Sequence, residues 1–195
     1  MSLGLKPTLW RTCRVLANEM RLDMLRYVIS QQRTNVGDVA RHFSISGSMA
    51  SQYLRQLNSR GLIRREKVNA FVFYTPEANR SICSAGYLLA ALETSLADHE
   101  NDNDRLIRIL TGFTHPHRLT IMKSIGTGSK TWSDLISSCK MTIPSARRHL
   151  NKLIDRGIVE AKGGNGIKTI YRLAKTKDPL LSVLHYINLA PDYHD

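Results

Sequence analysis

Residues 46–63, SGSMASQYLRQLNSRGLI, return as residues 142–159, TIPSARRHLNKLIDRGIV. Ala50, Leu54 and Leu57 fall on Ala146, Leu150 and Leu153, and Arg60-Gly61 falls on Arg156-Gly157, an offset of 96 positions (146 less 50). Upstream, RLDMLRYV (21–28) answers RLTIMKSI (118–125), and downstream Tyr74 answers Tyr171, both at 97 (118 less 21), a one-residue slip in the loops on either side. Solenoid units run to about 20–50 residues, and this repeat is far longer. The spacing therefore predicts two tandem copies of one small domain, residues 1–98 and 99–195, and 195 residues are enough to give each copy its own core.

Hydrophobic periodicity sets the expected elements. In the first copy, TLWRTCRVLA (8–17) places Leu9, Cys13 and Leu16 on one helical face, and Asn18 reads as the N-cap of a helix carrying Leu22, Leu25, Val28 and Ile29. After the polar stretch SQQRTN comes a short helix, VGDVARHF (36–43), and a tight turn at Ser44–Gly47. A helix over 47–59 buries Ala50, Tyr53, Leu54 and Leu57 and stops at Gly61. LIRREK and AFVFYT read as a β-hairpin turning around Val68-Asn69, and a helix over 79–97 follows. The second copy gives the same order independently: Pro116 after a cap at His115, the short helix TWSDLISSC, the turn KMTI and the helix PSARRHLNKLIDRG. Strands then flank Gly163-Gly164-Asn165-Gly166, and LLSVLHYINL closes the copy. The fold class expected is mainly α with small β-hairpin wings, as two tandem winged helix-turn-helix domains. In that arrangement the second helix of each pair enters the DNA major groove.

The motifs carry a resemblance. LANEMRLDML (16–25) and FTHPHRLTIM (113–122) fit the capped, Arg-Leu-containing helix of ArsR-like transcriptional regulators. Their recognition helix reads approximately S-x-x-x-V-S-x-H-L-x-x-L-x-x-x-G-L-V. Both repeated segments are similar to it, with Tyr53 in the His place of the first, and His149 in that place and Arg147 for the second Ser in the other. The resemblance spans nearly the whole chain and implies a DNA-binding regulator. Single-domain members of that group usually act as homodimers, so a tandem copy implies one chain supplying both halves of a pseudo-dimer.

Between the buried stripes, Ser46, Ser48, Met49, Ser51, Gln52 and Arg55 face outward on the first recognition helix, and Thr142, Ser145, Arg147, Arg148, Asn151 and Lys152 on the second. Ser46 and Thr142 read as N-caps. Gln52 has the geometry to pair with adenine, and Arg148 with guanine; phosphate contact is the other reading of the arginines. Arg64, Arg65 and Lys67 on the first wing, and Lys162 and Lys168 on the second, are expected to neutralise phosphate, or else to stand as a solvated hairpin edge. Charge agrees with a polyanionic partner: Lys plus Arg is 28 against 16 acids, a net +12. The copies carry 13 basic against 7 acidic and 15 against 9 residues, so each contributes +6. The expected partner is double-stranded DNA.

No residue pattern points to catalysis: there is no phosphate-cradling glycine loop, no HExxH and no nucleophile elbow. The resemblance raises metal sensing, but VGDVARHF and TWSDLISS lack a cysteine pair, Cys139 stands alone, and His99 and His185 lack the paired spacing. His115 and His117 form an H-P-H able to bind metal, but an N-cap and a surface histidine explain them better, so neither metal nor other cofactor is expected. Cys13 and Cys83 read as small buried hydrophobes. Scattered single cysteines suit a reducing cytoplasm, and no apolar run approaches a membrane span. Surplus apolar residues on the first and last helices of each copy are expected to pack the copies together; a homodimer through the same helices is the other arrangement open. Three rival functions remain: a nonspecific architectural or RNA-binding winged-helix protein, a winged-helix protein-interaction scaffold, and a metal-sensing repressor that would release DNA on adding metal.

Overall fold

The computed structural model describes residues 7–97, 103–163 and 169–190. Within them one element order runs twice. The first run is α1 (Leu9–Leu16), α2 (Glu19–Gln31), β1 (Thr34–Asn35), α3 (Val36–His42), α4 (Gly47–Ser59), β2 (Arg64–Val68), β3 (Phe71–Thr75) and α5 (Cys83–Ala97). The second is α6 (Asn103–Gly112), α7 (Pro116–Ile125), β4 (Lys130–Thr131), α8 (Trp132–Cys139), α9 (Ile143–Asp155), β5 (Val159–Lys162), β6 (Ile170–Leu173) and α10 (Pro179–Leu189). The chain is mainly helical with two small antiparallel sheets.

Each sheet has three strands, where two were expected. β1 adds to β3 through Thr34 opposite Tyr74, and β4 adds to β6 through Lys130 opposite Tyr171. The central strand of each sheet is thus the hairpin's second strand. The polar stretch SQQRTN conceals β1 because a two-residue strand has no periodicity to read. The first hairpin turns at Asn69-Ala70, one position later than expected, with Val68 still paired to Phe71 and Asn69 at φ 54°.

Local chemistry sets the helix ends. Asn18 Oδ1 accepts from the Arg21 N–H at 3.1 Å, and Ser46 Oγ from the Met49 N–H at 3.2 Å, as the sequence predicts. Thr142 occupies the N-cap position of α9 but makes no side-chain cap bond, which corrects its assignment. Pro144, with no N–H, removes one of the two donors such a cap uses. α5 begins at Cys83 and not near residue 79, because the Asn79 side chain turns back to accept from the Ser81 N–H at 3.0 Å. Gly61 and Gly157 stop the recognition-helix turns in the left-handed region, at φ 74° and 71°.

The Arg-Leu motif of each copy has a structural cause. Arg118, 6% exposed, reaches back from α7 to the end of α6. Its Nε donates to the Gly112 carbonyl at 2.8 Å and its Nη2 to the Thr111 carbonyl at 2.7 Å and Thr114 Oγ1 at 2.6 Å. Arg21 does the equivalent for α1, donating from Nε to the Val15 carbonyl and from Nη1 to Gln56 Oε1 at 2.9 Å. A guanidinium thereby satisfies carbonyls that a helix terminus leaves open.

One apolar cluster runs through both copies. α5 lies along α10 and α1 against α6, burying Leu88, Leu92, Leu106, Leu110, Leu180 and Leu184. Leu9 and Trp10 are only half-buried. Polar ties cross the same seam: Arg26 Nη2 donates to Asn103 Oδ1 at 2.9 Å, and Asn103 Nδ2 to Asp23 Oδ1 at 2.8 Å. Among the described residues no helix is long and apolar enough to cross a membrane.

Candidate nucleic-acid interface

The helix pairs α3–α4 and α8–α9 present the faces read as DNA contacts. On α4 the buried stripe is Ala50, Leu54 and Leu57; Tyr53 is half-buried instead of buried, lying under the Arg21 guanidinium at 5.8 Å. Ser46, Ser48, Met49, Gln52 and Arg55 are exposed, and Met49 keeps 44% of its surface open. Ser51 is half-buried, and Arg55 folds back so that its Nε donates to the Ser51 carbonyl at 3.2 Å. This face is neutral apart from Arg55.

On α9 the buried stripe is Ala146, His149, Leu150 and Leu153. Thr142, Arg147, Arg148, Asn151 and Lys152 are exposed together, while Ser145 is half-buried with its Oγ 3.3 Å from His117 Nδ1. Arg147 lies 5.1 Å from the Trp132 ring centroid on α8, a cation–π contact that orders its guanidinium against the helix pair. Three cations on one helix face give a positive potential that α4 lacks.

The wings differ as well. Every residue of β2 is exposed, so Arg64, Arg65 and Lys67 reach solvent. Arg64 pairs with Glu77 at 2.9 Å, and that hydrogen bond holds the Glu77 carboxyl below its ordinary range and raises the Arg64 guanidinium. The pair is exposed, so it restrains Arg64 only weakly against a phosphate. Arg33 lies over the Phe73 ring at 3.9 Å, and Phe71 at the hairpin tip is 62% exposed. Lys162 is exposed on β5; Lys168, with Gly164, Asn165 and Gly166 of the expected turn, lies outside the described residues.

The residues weighed for metal in the sequence fall on α3, α8 and α10. α3 holds no cysteine, α8 holds Cys139 alone, and His185 lies on α10; His99 lies outside the described residues. Cys13 is buried as expected, and burial pushes its thiol up; Cys83 is exposed, which corrects its assignment as a buried hydrophobe.

A third histidine comes together with the H-P-H pair, for which the sequence favours a cap and a surface residue over a metal site. His115 does cap α7, its Nδ1 accepting from the His117 N–H at 3.1 Å. His149 of α9 packs beside both, with ring centroids 4.2 Å from His115 and 5.2 Å from His117. Burial, then the neighbouring His115, Arg118 and Arg148, pull His149 down to about 4, and burial with His117 lowers His115. No spacing along the chain announces this contact, because His149 joins through tertiary packing alone.

No curated protein matches the chain. Residues 115–161, from the cap of α7 through α8 and α9 into β5, match the family model of bacterial regulatory proteins of the arsR family, a helix-turn-helix domain.

Proposed function

We propose that this chain is a sequence-specific, double-stranded-DNA-binding transcriptional regulator of ArsR-like type, without enzymatic activity. In this reading it consists of two tandem winged helix-turn-helix domains, residues 1–98 and 99–195, paired as a pseudo-dimer across the α5–α10 seam. The observation that carries the reading is the arsR-family match over residues 115–161, inside which α9 exposes Arg147, Arg148, Asn151 and Lys152 together. Arg148 and Asn151 are the candidates for base edges, and Arg147 and Lys152 for phosphates. Arg64, Arg65, Lys67 and Lys162 add backbone neutralisation from the wings. Ser48, Met49, Ser51 and Gln52 offer hydrogen bonds and apolar contact without charge, so α9 dominates affinity and α4 contributes discrimination. Ser46, Thr142 and Ser145 sit at the helix starts, where N–H groups face a phosphate.

Selection from a randomised duplex pool, followed by fluorescence anisotropy across a salt series, tests the reading. The expected result is an enriched motif whose affinity rises as salt falls, and a loss of about tenfold or more in an Arg147→Ala/Arg148→Ala variant. Salt-dependent binding without an enriched motif would instead indicate an architectural or RNA-directed role. No duplex binding at low salt would overturn the reading.

A further inference from the structure

His149 is 3% exposed, and neither of its ring nitrogens has a hydrogen-bond partner. A neutral imidazole carries one N–H and one lone pair, and leaving both unmet in a buried site is costly. What surrounds the ring is two further imidazoles, His115 and His117, and one ligating nitrogen from each of the three lies within 4.8 Å of the others.

We propose that His115, His117 and His149 form a three-histidine site for a first-row transition-metal ion of the zinc class, joining the start of α7 to the middle of α9. Imidazole nitrogens suit zinc, cobalt, nickel or copper; magnesium and calcium require oxygen. Zinc–nitrogen bonds of about 2.0–2.1 Å in a tetrahedral shell place the nitrogens roughly 3.4 Å apart, so the rings draw inward on binding. His117 is exposed and His115 half-buried, so both have room to make that adjustment around the fixed His149. Ser145 Oγ, 3.3 Å from His117 Nδ1, can accept the Nδ1–H and so leave Nε2 to ligate. At His115 the lone pair that receives the His117 N–H is the only one the neutral ring has. Binding therefore exchanges the cap of α7 for a metal bond. Arg14, Arg118 and Arg148 face the cluster and repel a dication, which holds the affinity to a moderate level.

The other copy of the repeat is an internal control. The positions equivalent to His115, His117 and His149 are Asn18, Met20 and Tyr53. Asn18 caps α2 as His115 caps α7, and Tyr53 lies against Arg21. The fold therefore accommodates these three positions without histidine, and the second copy departs from the first at all three together. Nothing in the proposal depends on the DNA reading.

Cobalt(II) titration of the untagged full-length chain, followed by visible absorption and zinc competition, tests the site. The expected result is one cobalt per chain with the intense bands of a low-coordinate site, displaced by zinc. A His117→Met variant should weaken binding by about tenfold or more. A triple variant, His115→Asn with His117→Met and His149→Tyr, installs the residues of the first copy and should abolish binding while circular dichroism stays that of the parent. Absence of saturable binding by the parent chain, or undiminished binding by the His117→Met variant, would overturn the proposal.

Discussion

Replacing Arg118 by Met isolates the contribution of the guanidinium that closes α6. Met keeps most of the apolar stem and removes every donor. The Gly112 carbonyl loses its side-chain donor, the Thr111 carbonyl keeps only the Thr114 hydroxyl at 3.1 Å, and Thr114 Oγ1 loses the guanidinium, in a site where Arg118 is 6% exposed. Hydrogen bonds to a charged group are worth about 1.5–3 kcal/mol each, and the two carbonyls gain no replacement donor from Met. Against this, the buried guanidinium bears a desolvation cost, the same cost that lowers its pKa to about 10. Returning roughly half of the gross loss leaves a destabilisation of about 2–4 kcal/mol. Urea unfolding followed by far-ultraviolet circular dichroism reads this as a lower midpoint at unchanged slope. Arg21→Met should cost less, about 1–2 kcal/mol, because Arg21 is half-buried and one of its bonds goes to a side chain, Gln56. A change under about 0.5 kcal/mol for Arg118→Met would refute the capping argument.

Two further perturbations follow from specific positions. Gly61 and Gly157 share a positive φ, so alanine strains either by about 1 kcal/mol; at Gly61 the new Cβ would also displace Ile82 Cδ1 at 2.6 Å and press on the Cβ atoms of Asn79 at 3.1 Å and Ala85 at 3.3 Å, whereas at Gly157 it meets nothing within 4 Å. Gly61→Ala should therefore cost measurably more than Gly157→Ala in the same unfolding assay, and equal costs would refute the clash. Burial lowers His185 to about 4 from an ordinary 6.5, so the folded chain keeps it neutral while the unfolded chain takes up a proton. Its contribution is complete above about pH 6.5 and declines as pH falls toward 4, by up to about 1.4 kcal/mol per pH unit. Unfolding at a series of pH values should show a shallower decline for His185→Phe, and an unchanged decline would remove His185 as its source.

Much of the architecture was legible because it was written twice. A periodicity that recurs in different residues, with a cap at Asn18 and again at His115, leaves few alternative element orders. The outward face of α9 was legible for the same reason: Arg147, Arg148, Asn151 and Lys152 fall between positions that must be buried. Features that depend on two or three residues were not. β1 and β4 are too short to show alternation, and the late start of α5 turns on one asparagine side chain competing with the helix. Tyr53 reads as core by its spacing but lies half-exposed beneath a guanidinium. The meeting of His149 with His115 and His117 is a tertiary event across more than thirty residues of chain, and no pattern along the sequence encodes it.

The seam between α5 and α10 joins segments of one polypeptide, so closing it is a first-order process. Two separate subunits come apart on dilution, and their folded fraction depends on how much protein is present. Tethered partners face each other at a fixed effective concentration set by the connecting chain, whatever the total. In the pseudo-dimer proposed above, the paired arrangement would therefore persist at the scarcest copy number, and its occupancy of a binding site would rise in simple proportion to the amount of protein, without the threshold that assembly from two chains imposes.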